Sequence, residues 1–224
     1  MTAKVHPNVA VPLSLGQPPA VAPAPAPVTL TVWRKSLLFN GRGFTVFDAR
    51  GDLVYRVDSY ASDSRAEVVL MDAAGCPVLT LRRRKLIGLG LGSDQWLVYP
   101  GEETRRLPPL YAVKRAAPQY MRGGFGGGAK SMAHVAACSG GGAAAKTTGA
   151  GGYEVEGSYL RRRCTVYDER RRAVAEVRPK EAVVGSDVFR LVVQPGMEVS
   201  LAMAVVLALD QMFGKPSLLR SWSS

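Results

Sequence analysis

The chain has 224 residues, of which 47% are hydrophobic and 21% are charged, so it is long enough for one domain with a sizeable core. Lysine and arginine number 29 against 18 aspartates and glutamates, which gives a formal net charge of +11. This excess favours anionic partners, such as acidic lipid headgroups or nucleic acid, but carries no information about the fold.

Cysteine and histidine are too scarce to build the common metal or catalytic sites. Cys76, Cys138 and Cys164 are widely spaced and show no CxxC or Cys/His ligand pattern, so we expect reduced thiols in an intracellular protein. The two histidines, His6 and His134, fall in low-complexity segments, so no catalytic triad or histidine metal site is expected on the folded domain. The N-terminus shows no secretory signal pattern. We therefore expect a non-enzymatic protein without a cofactor, located in the cytoplasm or nucleus or peripherally at the plasma membrane.

Two low-complexity segments divide the chain. Residues 1–28 end in alternating proline and alanine, a composition that predicts a disordered leader. A glycine-rich segment at about 121–152 has too few large apolar side chains to offset its ordering entropy, so it is predicted to be a disordered insertion. Apart from that insertion, residues 29–215 form a single predicted domain, and residues 216–224 form a tail.

A short repeat occurs three times in the domain. The segments 45–57, 69–81 and 165–177 align without gaps, and each places an aspartate after three β-prone residues. The three aspartates are Asp48, Asp72 and Asp168. In the first two copies a glycine, Gly51 or Gly75, follows three positions later. This pattern predicts a type I turn that joins two antiparallel strands in each copy.

Other strand-like runs fill most of the remaining domain. They cover residues 30–39, 94–100, 110–115, 153–160 and 187–193. Together with the three hairpins they give roughly ten to twelve short strands, which are enough to close an antiparallel β-barrel.

The most apolar segment is EVSLAMAVVLALDQMFG, Glu198–Gly214. Alanine and leucine favour a helix here, and Gly214 predicts its end, so we expect about sixteen helical residues. The uninterrupted apolar part spans only about 17 Å, whereas a bilayer core is about 30 Å thick, and Asp210 would lie in the hydrocarbon. The segment is therefore predicted to be a helix buried inside the barrel. Its predicted core positions are Val199, Leu201, Met203, Val205, Val206, Leu207 and Leu209.

Several motifs, taken in order, resemble the plant LURP-one-related proteins. They are the Trp33–Lys35 strand, GFTVFDARGDLVYRVDSY at 43–60, DAAGCPVLTLRRRK at 72–85, DQWLVYPGE at 94–102, and the terminal DVFRLVVQPGMEVSLAMAVVLALDQMFG. The resemblance covers nearly all of 29–215 except the glycine-rich insertion. That family's fold is similar to the Tubby C-terminal domain and the phospholipid scramblases. The resemblance therefore implies a closed antiparallel barrel of about twelve strands around a central hydrophobic helix.

Runs of arginine supply much of the basic excess, and guanidinium groups bind phosphate oxygens through paired hydrogen bonds. The predicted anionic-headgroup site comprises Arg82, Arg83, Arg84, Lys85, Arg105 and Arg106. Further runs occur at 161–163 and 170–172. Tubby relatives bind phosphatidylinositol bisphosphate through basic barrel residues, so the resemblance implies a peripheral membrane or phosphoinositide-binding module with a role in plant defence. The competing interpretation is that arginines at strand ends only keep edges and turns solvated.

Two other functions stay open. A nucleic-acid-binding regulator would also explain the positive charge, although the sequence contains no RNP, zinc-finger or helix-turn-helix pattern. A lipid-moving protein like the scramblases would require the apolar helix to insert into a membrane. We expect a monomer, and the sequence indicates no particular protein partner.

Overall fold

The computed structural model describes residues 25–37, 42–59, 67–84, 95–102, 106–116, 131–138, 152–181 and 187–214. The strands are β1 (Val28–Trp33), β2 (Arg42–Phe47), β3 (Leu53–Ser59), β4 (Glu67–Asp72), β5 (Pro77–Arg84), β6 (Gln95–Pro100), β7 (Tyr111–Arg115), β8 (Ser131–Ala137), β9 (Tyr153–Ser158), β10 (Arg163–Tyr167), β11 (Ala173–Pro179) and β12 (Val188–Val193). They are followed by the helix α1 (Val199–Phe213).

The strands form one closed antiparallel barrel in which each strand pairs with its neighbours in sequence. β1 completes the ring, because it pairs with β12 through Leu30 opposite Leu191 and with β2 through Val32 opposite Val46. A closed barrel leaves no strand edge with unpaired backbone groups. The predicted all-β fold with about twelve strands is confirmed.

The three repeated aspartates make the same turn in all three hairpins. In each copy the backbone N–H three positions on donates to the aspartate carbonyl, at 3.2, 3.1 and 2.9 Å in chain order. The aspartate side chain accepts a bond from the backbone N–H four positions on, at 2.9 Å each time. The residue three positions on has a positive φ, which Gly51 and Gly75 adopt at 92° and Arg171 at 61°. The third hairpin therefore holds an arginine in a conformation that favours glycine.

The helix α1 passes through the barrel and fills it. Six of the seven predicted core positions are no more than 2% exposed, and the seventh, Val199, is half-buried at the start of the helix. Along α1, Gln211 is the exposed residue. The predicted buried helix is confirmed, and its 15 residues are close to the expected length. Within the ranges given above, no helix is both long and apolar enough to cross a membrane.

The glycine-rich segment departs from the prediction. Its residues Ser131–Ala137 form β8, which pairs with β7 and β9, so these seven residues are not a disordered loop. Ala133 and Val135 are buried on alternate positions, a strand pattern that small residues and nearby glycines obscure in the sequence. His134 lies on this strand, so the expectation that no histidine belongs to the barrel is also wrong. Val28, the last residue of the predicted leader, is the first residue of β1. The leader up to residue 24, residue 215, the predicted tail 216–224, and the insertion outside 131–138 and 152 lie outside the described residues.

Candidate functional site

Because each strand runs antiparallel to the next, the connections between strands lie alternately at the two ends of the barrel. The Asp-turn end holds the three aspartate turns, the described part of the β6–β7 connection, and the start of α1. The arginine end holds the C-terminal ends of β1, β5, β7 and β11, the β9–β10 turn, and the last turn of α1. Every functional group discussed below lies at one of these ends or on the wall between them.

The two ends carry opposite net charge. At the arginine end the basic residues whose side chains are described are Arg34, Lys35, Arg82, Arg83, Arg84, Lys114, Arg115, Arg161, Arg162, Arg163, Arg178, Lys180 and Arg190, and the acidic ones are Asp58, Glu67, Glu181, Asp187 and Asp210. At the Asp-turn end the acidic residues are Asp48, Asp52, Asp72, Glu102, Glu154, Asp168, Glu169 and Glu198, and the basic ones are Arg50, Arg106, Arg170, Arg171 and Arg172. Thirteen cations against five anions give +8 at the first end, and five against eight give −3 at the second.

Three arginines of the predicted headgroup site, Arg82, Arg83 and Arg84, lie next to one another at the end of β5. Arg82 forms an ion pair with Glu67 on β4, with 3.6 Å between Nε and Oε2, and both side chains are about two-fifths exposed. Arg83 and Arg84 are exposed. Arg83 is opposite the core residue Trp96, so strand alternation places it on the rim of the barrel interior. Lys85 lies outside the described residues.

The other part of the predicted site lies elsewhere. Arg106 follows β6, whose register with β5 places Gln95 opposite Arg84 and Pro100 opposite Leu79. The strand between these pairs is about 17 Å long, so Arg106 and Arg84 lie at opposite ends of the barrel. The described residues of the predicted site therefore do not lie together, because Arg106 is at the opposite end from Arg82, Arg83 and Arg84. Arg105 lies outside the described residues.

A buried polar network closes the arginine end around the last turn of α1. Asp210 is only 7% exposed, and Arg34 binds it with Nε 3.0 Å from Oδ1 and Nη2 3.3 Å from Oδ2. The Tyr159 hydroxyl donates to the same Oδ1 at 3.1 Å. Because a buried carboxylate without partners is costly, these two side chains take the place of the water that Asp210 loses on folding.

Arg162, the middle residue of the run 161–163, points into this network. Its φ is 53°, and its guanidinium lies 4.2 and 4.4 Å from the ring centroids of Tyr159 and Phe189. Burial, together with the nearby Asp210 carboxylate, raises the pKa of Tyr159 well above its usual value of 10.0. The tyrosine therefore stays protonated and can donate its hydrogen bond. Sequence reasoning missed this network, although a carboxylate within an apolar helix was a signal that partners must be buried beside it.

Cys164, the one cysteine beside an arginine run, is a core residue of β10. Burial raises the pKa of its thiol to about 12, although the nearby Arg162 acts in the opposite direction. Its Sγ lies 3.7 Å from the Met132 sulfur. A thiol in this environment stays protonated at neutral pH and packs as a small hydrophobic side chain.

A closed β-barrel filled by a C-terminal helix, with one basic end, defines the class of protein. A family model described as LURP-one-related matches residues 28–210. "Protein LURP-one-related 8" of Arabidopsis thaliana is 46% identical over 195 residues, covering 84% of this chain and 88% of the relative. "Protein LURP-one-related 17" of the same plant is 40% identical over 200 residues, covering 83% of each chain. The chain belongs to the LURP-one-related family.

A solved structure supports the same fold. An X-ray structure of an Arabidopsis thaliana protein superposes with a TM-score of 0.57 at 25% identity. The match covers 84% of this chain and 93% of that protein. The family that the sequence motifs resembled is thus confirmed.

Proposed function

We propose that this protein is a non-enzymatic module that docks on anionic membranes through its arginine end, with phosphoinositide headgroups as its ligands. The observation that supports this is the charge difference between the ends of the barrel, +8 against −3. A barrel polarised in this way turns its basic end toward a negatively charged surface. Each basic residue near an acidic membrane contributes on the order of 1 kcal/mol.

The arginines of this end divide into an inner and an outer group. Arg34 forms an ion pair with Asp210, and Arg162 packs on aromatic rings, so both stabilise the structure of this end. Arg84 and Arg161 are exposed on the rim and Lys180 is partly exposed there, and such long cationic side chains can reach headgroups at different positions. The rim, with Arg82 and Arg83, is the proposed membrane-facing surface.

The buried helix argues for docking over insertion. Residues 200–210 of α1 are all buried inside the barrel. A lipid-moving mechanism that inserts this helix would first have to expose the whole core to water, at a large cost in hydrophobic burial. Membrane contact is therefore assigned to the surface of the arginine end. A role in plant defence signalling is proposed from the family resemblance alone.

Vesicle flotation with matched variants tests this proposal. Arg82→Gln/Arg83→Gln/Arg84→Gln removes three charges from the arginine end, and Arg50→Gln/Arg106→Gln/Arg170→Gln removes three from the Asp-turn end. We expect the wild type and the second variant to float with vesicles containing phosphatidylinositol bisphosphate, and high salt to weaken this binding. The first variant should bind about a hundredfold more weakly, since three residues at about 1 kcal/mol each are lost.

The variant at the Asp-turn end shows whether vesicle binding requires the surface of the arginine end or only the net charge of the protein. Equal flotation of the two variants and the wild type would exclude the arginine end as the docking surface. Equal loss in both variants would mean that only net charge matters. If the protein retains nucleic acid at a salt concentration that releases it from vesicles, the nucleic-acid-binding alternative replaces the membrane proposal.

A further inference from the structure

Three arginines form a row across neighbouring strands on the outer wall of the barrel. Arg163 on β10, Arg178 on β11 and Arg190 on β12 each alternate with buried residues, so their side chains face outward. Arg178 is directly opposite Arg190, and Arg163 lies one step beyond the Cys164–Val177 pair. Like charges at opposed positions of a sheet are destabilising, so this row costs the fold stability unless something else binds it.

Protein groups neutralise only part of this charge. Arg178 donates from Nε to Glu176 Oε2 at 2.5 Å. The guanidinium groups of Arg163 and Arg190 form no hydrogen bond or ion pair with any residue in the described ranges. The neighbouring Glu156 is bound to Arg171, with 2.8 Å between Oε1 and Nη1. Two guanidinium groups therefore keep their full donor capacity for a ligand.

The row lines a cleft of about 770 Å³, which is a typical size for a small-molecule site. Besides the three arginines, the lining includes Thr165 and the carboxylates of Glu156, Glu176 and Glu181. The cleft thus has guanidinium donors on one side and hydroxyl and carboxylate acceptors on the other. This mixture suits a ligand that carries both an anionic group and free hydroxyl groups.

We propose that this cleft binds a phosphate monoester on a hydroxylated carrier, such as a cyclitol or sugar phosphate. Arg163 and Arg190 take the phosphate oxygens, and the phosphate removes the repulsion within the row. Thr165 and Glu156 accept hydrogen bonds from the hydroxyl groups of the carrier. The cleft arginines also count toward the charge of the arginine end, but the cleft excludes the rim arginines of β5, so variants at β5 test the membrane proposal separately from this site.

Isothermal titration calorimetry of the full chain with myo-inositol trisphosphate, inorganic phosphate and unphosphorylated myo-inositol tests the site. We expect the trisphosphate to bind more tightly than inorganic phosphate, and myo-inositol not to bind. Arg163→Gln/Arg190→Gln should weaken trisphosphate binding about a hundredfold, at about tenfold for each charge-assisted contact. Arg50→Gln/Arg170→Gln removes the same charge at the Asp-turn end and should leave binding unchanged. Equal trisphosphate binding by the wall variant and the control overturns the site.

Thermal melting gives a second readout. Without ligand, the Arg163→Gln/Arg190→Gln variant should melt no lower than the wild type, because the substitution relieves repulsion on an exposed wall. The trisphosphate should raise the melting temperature of the wild type and not that of this variant. Glu176→Gln releases Arg178 and should tighten trisphosphate binding severalfold. Weaker binding by Glu176→Gln would contradict the assigned role of the row.

Competition with vesicles distinguishes the two sources of such a phosphate. If soluble trisphosphate releases the protein from phosphatidylinositol bisphosphate vesicles, the ligand of the cleft is a lipid headgroup. If it binds without releasing the vesicles, the ligand is a soluble phosphate. The Arg82→Gln/Arg83→Gln/Arg84→Gln variant keeps the two proposals separate, since it should lose flotation and retain trisphosphate binding. If the wild type floats with the vesicles but does not bind the trisphosphate, the cleft proposal is wrong and the membrane-docking proposal remains.

Discussion

The two ends of the barrel are assembled in different ways. At the Asp-turn end each aspartate binds backbone N–H groups no more than four residues away, so each turn is complete within its own hairpin. At the arginine end Asp210 binds Arg34, which lies 176 positions away, and Tyr159, which lies 51 away. Local contacts can form before the barrel closes, whereas the buried network exists only in the finished fold. The arginine end should therefore be the more sensitive of the two to substitution.

The largest loss of stability is expected from Leu207→Asp, which should unfold the whole barrel and so disrupt both ends. Leu207 is fully buried in α1, and a carboxylate there has no partner, so its burial costs several kcal/mol out of a total stability of about 5–15 kcal/mol. We expect loss of the folded state in circular dichroism and urea unfolding. Gln211→Asp, on the exposed position of the same helix, should remain folded. A soluble, folded Leu207→Asp protein would mean that α1 lies outside the barrel.

The next effect is expected from Asp210→Ala at the arginine end. It leaves Arg34 and the Tyr159 hydroxyl without their shared acceptor, and we expect a loss of about 3 kcal/mol in the free energy of unfolding. Replacing both charges of this pair, with Arg34→Met/Asp210→Leu, should recover part of this loss because Arg34 no longer lacks its acceptor. If chemical denaturation shows the double variant to be less stable than Asp210→Ala, the ion pair is not the source of the effect.

A smaller effect is expected from Asp168→Ala at the Asp-turn end. Backbone N–H groups, first that of Arg172, lower the pKa of Asp168 below its usual 3.8, so its carboxylate stabilises the folded state above about pH 4. This contribution is lost as the pH falls through the lowered pKa. The melting temperatures of the wild type and Asp168→Ala should therefore differ at neutral pH and converge in strong acid. A difference that persists unchanged in acid would show that the charge plays no part.

The smallest effect is expected at the third position of the turns. Gly51→Ala should destabilise the fold by about 1 kcal/mol, because φ is 92° there and no atom lies near the added Cβ to compensate. Arg171→Gly relieves the same kind of strain but loses ion pairs to Glu154 and Glu156, so the two contributions largely cancel. Thermal melting should show a shift for Gly51→Ala and almost none for Arg171→Gly. A marked loss in Arg171→Gly would mean that its ion pairs outweigh the strain.

Most of the fold could be predicted because its signals are local. The aspartate turns and the flanking β-prone residues lie within about a dozen positions of one another, and the apolar helix is one continuous segment. The strand predicted at 30–39 ends earlier, at Trp33, and Arg34 just beyond it binds Asp210. β8 was missed because its buried residues Ala133 and Val135 are small and few among glycines.

The residue types of the candidate site could be predicted from the sequence, but their arrangement in space could not. The sequence by itself determined that there would be an apolar helix too short for a bilayer, hairpins opened by aspartates, and a large excess of arginine. Only the tertiary structure decided which arginines share an end, because the end at which a loop lies depends on strand direction and register. It also decided that Arg162 turns inward while Arg163 joins Arg178 and Arg190 on the wall. Neighbouring arginines in sequence thus have different roles, since a strand or turn sends successive side chains to opposite sides.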